Sequence, residues 1–112
     1  MAQTLRIGLI GYKFMGKAHS NAWRQVNRFF PELPARVELA TICGRDDAAV
    51  ERARETFGWQ RAQTDWRKVV EDPKIDIIDI CTGNDTHCDI AITAARAGKA
   101  VLCEKPLARN VA

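Results

Sequence analysis

Nothing in this sequence approaches the roughly 20 consecutive apolar residues that a membrane span requires. The N-terminus enters a strand-like run, Leu5 to Ile10, without the charged, apolar and small-residue sections of a secretory leader. The expectation is a cytoplasmic protein with no membrane partner. A basic patch is missing too: Lys and Arg outnumber Asp and Glu only 17 to 14, and they are scattered without a basic run or aromatic–basic interleaving. That excludes a nucleic-acid partner from the reading. The C-x-x-C spacing of metal and redox motifs is also lacking. Three of the four cysteines (Cys43, Cys81 and Cys103, with Cys88 the fourth) close apolar runs, where buried free thiols are common. With His87 the only imidazole near them, no metal site is expected. Extreme composition is absent as well, since 46% apolar and 28% charged residues describe an ordinary globular chain and not a disordered one. At 112 residues it is read as one domain, large enough to bury roughly 60–70% of its unfolded surface.

What is present is an alternation of short apolar runs with segments of helical period. Leu5 to Ile10 is short and apolar enough for a strand buried on both faces. Met15, Ala18, Ala22 and Val26 then recur at helical spacing, with Trp23 beside them, until Pro31 and Pro34 open a loop. Val37 to Cys43 predicts a second strand. Asp46 and Asp47 suit the start of a helix, Val50, Ala53 and Phe57 form its apolar stripe, and Gly58 ends it. A short third strand is expected around Gln60 to Ala62. Thr64 or Asp65 caps a brief helix carrying Trp66, Val69 and Val70, stopped by Asp72-Pro73. Ile75 to Cys81 is the clearest strand signal. Thr86 and Asp89 resemble a capping box for a helix with Ile90, Ala91, Ala94 and Ala95 on one face, ending at Gly98. Ala100 to Cys103 predicts a fifth strand, and Leu107 to Ala112 the start of another helix.

Strands alternating with helices imply an α/β fold, a doubly wound parallel sheet with right-handed crossovers. In such sheets ligands bind beyond the carboxyl ends of the strands, where the strand order reverses. The residues after each strand are therefore the candidates. After the first comes Gly11-Tyr12-Lys13-Phe14-Met15-Gly16, in the place of the Rossmann G-x-G-x-x-G turn that feeds a helix N-terminus to a pyrophosphate. Gly11 would make the tight turn and Gly16 would let helix and strand pack closely. The central glycine is replaced by Lys13, so the loop must be set differently, and the lysine itself is a candidate to reach a phosphate.

The chain as a whole resembles the glucose-fructose oxidoreductase / inositol dehydrogenase / MocA family. The matching pieces run in order: Phe14-Met15-Gly16-Lys17-Ala18-His19, Thr64-Asp65-Trp66, Asp72-Pro73 with Ile75-Asp76, and Asp79-Ile80-Cys81-Thr82. Asn84 with His87, Ala97-Gly98-Lys99, and Cys103-Glu104-Lys105-Pro106-Leu107-Ala108 complete the set. The resemblance implies that residues 11 to 16 hold the pyrophosphate and that Thr82, Asn84 and His87 line the cofactor site near the nicotinamide-side ribose. It also implies that Glu104, Lys105 and Pro106 sit at the nicotinamide. Lys105 would be catalytic, contacting the substrate oxygen and assisting proton transfer; an ammonium there stabilises developing alkoxide charge. The family's usual proline after the threonine is Gly83 here. The implied activity is hydride transfer between NAD or NADP and a secondary hydroxyl of a sugar, inositol or related polyol. The competing reading is a non-catalytic dinucleotide-binding regulatory module, against which Lys105 speaks.

Cofactor choice falls on the end of the second strand. A carboxylate there holds the ribose 2′-hydroxyl of NAD, whereas an arginine accommodates the phosphate of NADP. Cys43-Gly44-Arg45-Asp46 offers a guanidinium first, which leans towards NADP, while Asp46 keeps NAD open. Residues 1–112 are expected to form the dinucleotide-binding domain without its last strand and without the family's substrate domain. Such a piece leaves a sheet edge uncovered and is expected to show no turnover alone; the full-length protein is expected to be a homo-oligomer.

Overall fold

The computed structural model describes residues 3–32, 34–82 and 84–103, with no side-chain description at 14, 29 and 84–87. Five strands, β1 (Gln3–Ile10), β2 (Ala35–Cys43), β3 (Arg61–Gln63), β4 (Ile77–Ile80) and β5 (Ala100–Cys103), alternate with helices α1 (Phe14–Phe29), α2 (Asp47–Phe57), α3 (Trp66–Glu71) and α4 (Asn84–Arg96). All strand pairs are parallel, in the order β3-β2-β1-β4-β5. The chain builds outward from β1 through β2 to β3, then crosses back to lay β4 on the other side of β1. That reversal at β1 is the switch point of a doubly wound sheet, as expected from the alternation.

Two apolar layers cover the sheet. On one face Ile10, Ile78 and Ile80 pack with Val69, Val70, Ile90 and Ala94 of α3 and α4. On the other, Ile7, Leu9 and Ile42 meet Val50 and Ala53 of α2, together with Trp59, which is 2% exposed. Alternating side chains of the central strands thus enter opposite layers, which is why β1 and β4 read as continuous apolar runs. None of the helices among the described residues is long and apolar enough to cross a membrane.

The structure departs from the sequence expectation in several places, with β1 and β2 each starting two residues early, at Gln3 and Ala35. β3 lies one residue later than expected, at Arg61–Gln63. β4 is confined to Ile77–Ile80 because Ile75 is in a turn, its N–H bonded to the Asp72 carbonyl, although its side chain is buried. α4 begins at Asn84, so Thr86 lies inside the first turn and is not a cap. Three successive polar residues, Asn84, Asp85 and Thr86, all suit a helix start, and the pattern alone does not single out the first. The face of α1 is also rotated. Met15, Ala18 and Ala22 point outward and Ala95 of α4 is exposed, while Trp23 and Val26 pack on the core as expected and Gly16, His19, Ser20 and Asn27 share the inward side. Of the two candidate caps for α3, Asp65 is the one used; it accepts from Arg67 N–H at 3.0 Å.

Candidate functional site

Four strand tips lie side by side around the reversal, and backbone bonds continue past the strands to hold them there. Gly11 N–H donates to the Cys43 carbonyl at 2.8 Å, Cys81 N–H to Ile10 at 2.7 Å, and Gly44 N–H to Gln63 at 3.0 Å. Gly11 has φ of 110°, in the region that side chains disfavour, and a Cβ there would stand 2.6 Å from the Cys81 carbonyl oxygen. Gly16 is buried beneath the turn, where a Cβ would collide with the Gly11 carbonyl oxygen. The turn, the start of α1 and the exit of β4 therefore touch backbone to backbone.

Above them opens a cleft of about 430 Å³. Gly11, Tyr12 and Lys13 line it from the exit of β1, Cys43, Gly44, Arg45 and Asp46 from the exit of β2, and Cys81 and Thr82 from the exit of β4. Seven of the residues expected from sequence are thereby brought together: Gly11, Tyr12, Lys13, Gly44, Arg45, Asp46 and Thr82. Met15 and Gly16 are not in the lining; Met15 faces outward at 37% exposure, and Gly16 acts from underneath. Asn84 and His87 belong to the first turn of α4, with side chains outside the description, as is that of Phe14. Glu104, Lys105 and Pro106, Gly83 between β4 and α4, and the helix expected over 107–112 lie outside the described residues.

Thr64, Trp66 and Ile90 also line the cleft and were not singled out as site residues. Two of them belong to the Thr64-Asp65-Trp66 motif, whose position just after β3 was the available signal. Ile90 carries none, because an apolar residue in a helix reads as core.

The electrostatics favour an anion. Lys13 is the N-cap of α1 in an extended conformation, no side chain caps that terminus, and the first turn holds no acidic residue. By contrast, α2 and α3 are capped by Asp46 and Asp65. The α1 N-terminus thus adjoins the cleft at Lys13, with the positive end of its dipole uncompensated by a carboxylate. Lys13 and Arg45 are exposed at the rim. Asp46 commits one carboxylate oxygen to the α2 cap, accepting from Ala49 N–H at 3.1 Å. Below, burial pushes the Cys43 thiol up to about 12, with the Asp65 carboxylate adding to the effect, so the floor there stays uncharged at neutral pH. On the Trp66 ring the Arg67 guanidinium stacks 4.6 Å from the centroid.

Beside the β4 exit, Asp79 is fully buried. Its Oδ2 accepts from Trp23 Nε1 at 2.8 Å and lies 2.7 Å from His19 Nδ1, and the Cys81 thiol donates to Oδ1 at 3.7 Å. His19, Asp79 and Cys81 bring ligand-type atoms within 4.8 Å of one another. The carboxylate oxygen facing His19 thus carries two close polar contacts, one from the ring of His19 and one from that of Trp23. His19 is half-buried there.

A parallel sheet reversing at β1, a glycine turn packed against the neighbouring strand exit, and a helix start left open to a cleft define a Rossmann-type dinucleotide-binding domain. The model of an oxidoreductase family with an NAD-binding Rossmann fold matches residues 5–112, and the chain belongs to that family, the Gfo/Idh/MocA oxidoreductases. It is similar to levoglucosan dehydrogenase of Pseudarthrobacter phenanthrenivorans, 48% identical over 111 residues, which cover 96% of this chain and 28% of that protein. It is similar also to myo-inositol 2-dehydrogenase of Thermotoga maritima, 30% identical over 108 residues, covering 96% of this chain and 30% of that protein. A solved structure of levoglucosan dehydrogenase in complex with NADH matches with a TM-score of 0.92 at 45% identity, over 96% of this chain and 29% of that one. The chain spans under a third of the length of these relatives.

Proposed function

We propose that this chain is the cofactor-binding part of a dehydrogenase that moves hydride between a nicotinamide cofactor and a secondary hydroxyl of a sugar, inositol or related polyol. The observation that carries the reading is the α1 N-terminus, uncapped and flanked by Lys13, facing a cleft of about 430 Å³ at the switch point. A pyrophosphate suits that terminus by charge, and Gly11 and Gly16 let the turn, the helix start and the β4 exit pack closely enough to bring the terminus to the cleft. Thr82, with Asn84 and His87 at the start of α4, would meet the nicotinamide-side ribose. The nicotinamide supplies the hydride chemistry. Lys105, between Glu104 and Pro106, is the group we assign to hold and deliver the proton at the reacting oxygen. The dehydrogenase names of the relatives support the substrate class.

On the choice of cofactor, Arg45 at the rim and the engagement of Asp46 in the α2 cap favour a 2′-phosphate, and hence NADP. The NADH in the similar solved structure favours NAD. The four free cysteines support a reducing, cytoplasmic setting, and homo-oligomer formation is proposed for the whole protein.

The test is turnover. The whole protein, given NAD or NADP and a panel of sugars and inositols, is expected to produce the reduced cofactor, followed by its absorbance. Lys105→Met should lower kcat by about a hundredfold or more while leaving the cofactor Kd within a few-fold, because a general acid–base group acts on the reaction and not on the dinucleotide. A protein that binds the cofactor yet reduces it with none of these substrates would be a regulatory binding module instead.

A further inference from the structure

α1 is held against the sheet by polar side chains. Ser20, 1% exposed, accepts from Trp59 Nε1 at 2.9 Å. Asn27 pairs with the Val37 backbone in both directions, at 2.8 Å each. Beside the Ser20 clamp, His19 and Trp23 reach across β1 to Asp79. Hydrogen bonds constrain distance and direction, whereas apolar contacts tolerate sliding and rotation. Three such clamps along one face therefore set the rotation and advance of the helix, and the clamp on Asp79 is set nearer the cleft than that of Asn27.

Among the described residues Asp79 is the only buried carboxylate, and it stands in a layer otherwise filled by Ile77, Leu9 and Trp23. A buried charge is costly even when paired, and an apolar residue of similar volume often serves stability as well or better. Its use here calls for a benefit in geometry.

We propose that Asp79 is a positioning residue for the cofactor pyrophosphate, holding α1 through His19 and Trp23 so that its first turn faces the cleft. This rests on the dinucleotide reading given above. The helix is rigid over the short distance from Trp23 to Lys13, so a rotation released at the clamp reappears at the leading N–H groups. A displacement of an ångström there costs affinity for the phosphates specifically.

The experiment compares ADP-ribose, which carries the pyrophosphate, with adenosine, which lacks it, on the full chain by calorimetry and ligand-observed NMR. Trp23→Phe keeps the ring volume and removes one donor; Asp79→Asn keeps an acceptor oxygen where both donors meet; Asp79→Ala removes it. Trp23→Phe and Asp79→Ala are expected to weaken ADP-ribose by about tenfold, with adenosine changed less than twofold, in line with the steep cost of small misplacements. Asp79→Asn should recover most of the loss. Equal losses for the two ligands, or an unchanged ADP-ribose affinity in folded Trp23→Phe, overturn the positioning role and leave the cofactor reading intact. Should Asp79→Ala not fold, Trp23→Phe and Asp79→Asn decide the matter alone. A wild-type chain that binds neither NADH nor ADP-ribose sinks both.

Discussion

Gly11 and Gly16 give the site its shape through what they lack, and Arg45 is the residue on which the proposed choice of cofactor turns. The two glycines allow a strand exit and a helix start to meet without an intervening side chain. The Arg45 guanidinium is exposed at the β2 exit, where the 2′-position of the adenosine ribose is read in this fold class. Asp46 beside it is held by Ala49, so one of its oxygens is already engaged. Arg45→Ala is therefore expected to weaken NADP by on the order of tenfold and NAD by far less, as suits the loss of a charge-assisted bond to phosphate. Paired titrations with the two cofactors check this; equal losses would place Arg45 outside the 2′-site. The residues at the strand ends were legible from sequence because their function depends on chain position alone. Trp66 and Ile90 were not, since their presence in the cleft depends on how α3 and α4 lean over the sheet.

At the scale of elements, the alternation of strands and helices was readable because buried parallel strands must be apolar on both faces. α1 shows where that reasoning breaks. Of its apolar residues at helical spacing, Val26 packs on the core but Met15, Ala18 and Ala22 face outward, while Ser20 and Asn27 face in with their hydrogen bonds satisfied by Trp59 and Val37. A periodicity argument assumes that the buried face is the apolar one, and partners 10 and 39 residues away in sequence overturned it. The same blindness applied to Trp59, whose burial follows from its partner on α1 and not from its own strand or helix. Asn27→Ala should cost about 2 kcal/mol, because two part-buried bonds to the Val37 backbone are lost together. Ala22→Gln should stay within about 0.5 kcal/mol, as surface changes do. Urea unfolding of the two variants measures the contrast; a larger loss at Ala22 would return the helix to the orientation its periodicity implied.

For the whole molecule, the reversal of strand order at β1 is what gathers residues 11–13, 43–46 and 81–82, from the exits of three different strands, around one opening. Order of this kind follows from connection handedness and from which strand the chain returns to, so the alternation implied it before any contact was known. The site divides between described and undescribed parts of the chain, with the phosphate end in the cleft and the assigned catalytic lysine beyond residue 103. The phosphate end carries the account. Its most direct test is an equilibrium titration of the full chain with NADH, read by the fluorescence of the reduced nicotinamide. Saturable one-to-one binding is predicted, weakened by about tenfold or more in Lys13→Glu, which reverses an exposed charge at the helix start and leaves the buried framework untouched. A folded protein with no saturable binding, or with binding indifferent to Lys13→Glu, would contradict the claim that this cleft receives a dinucleotide.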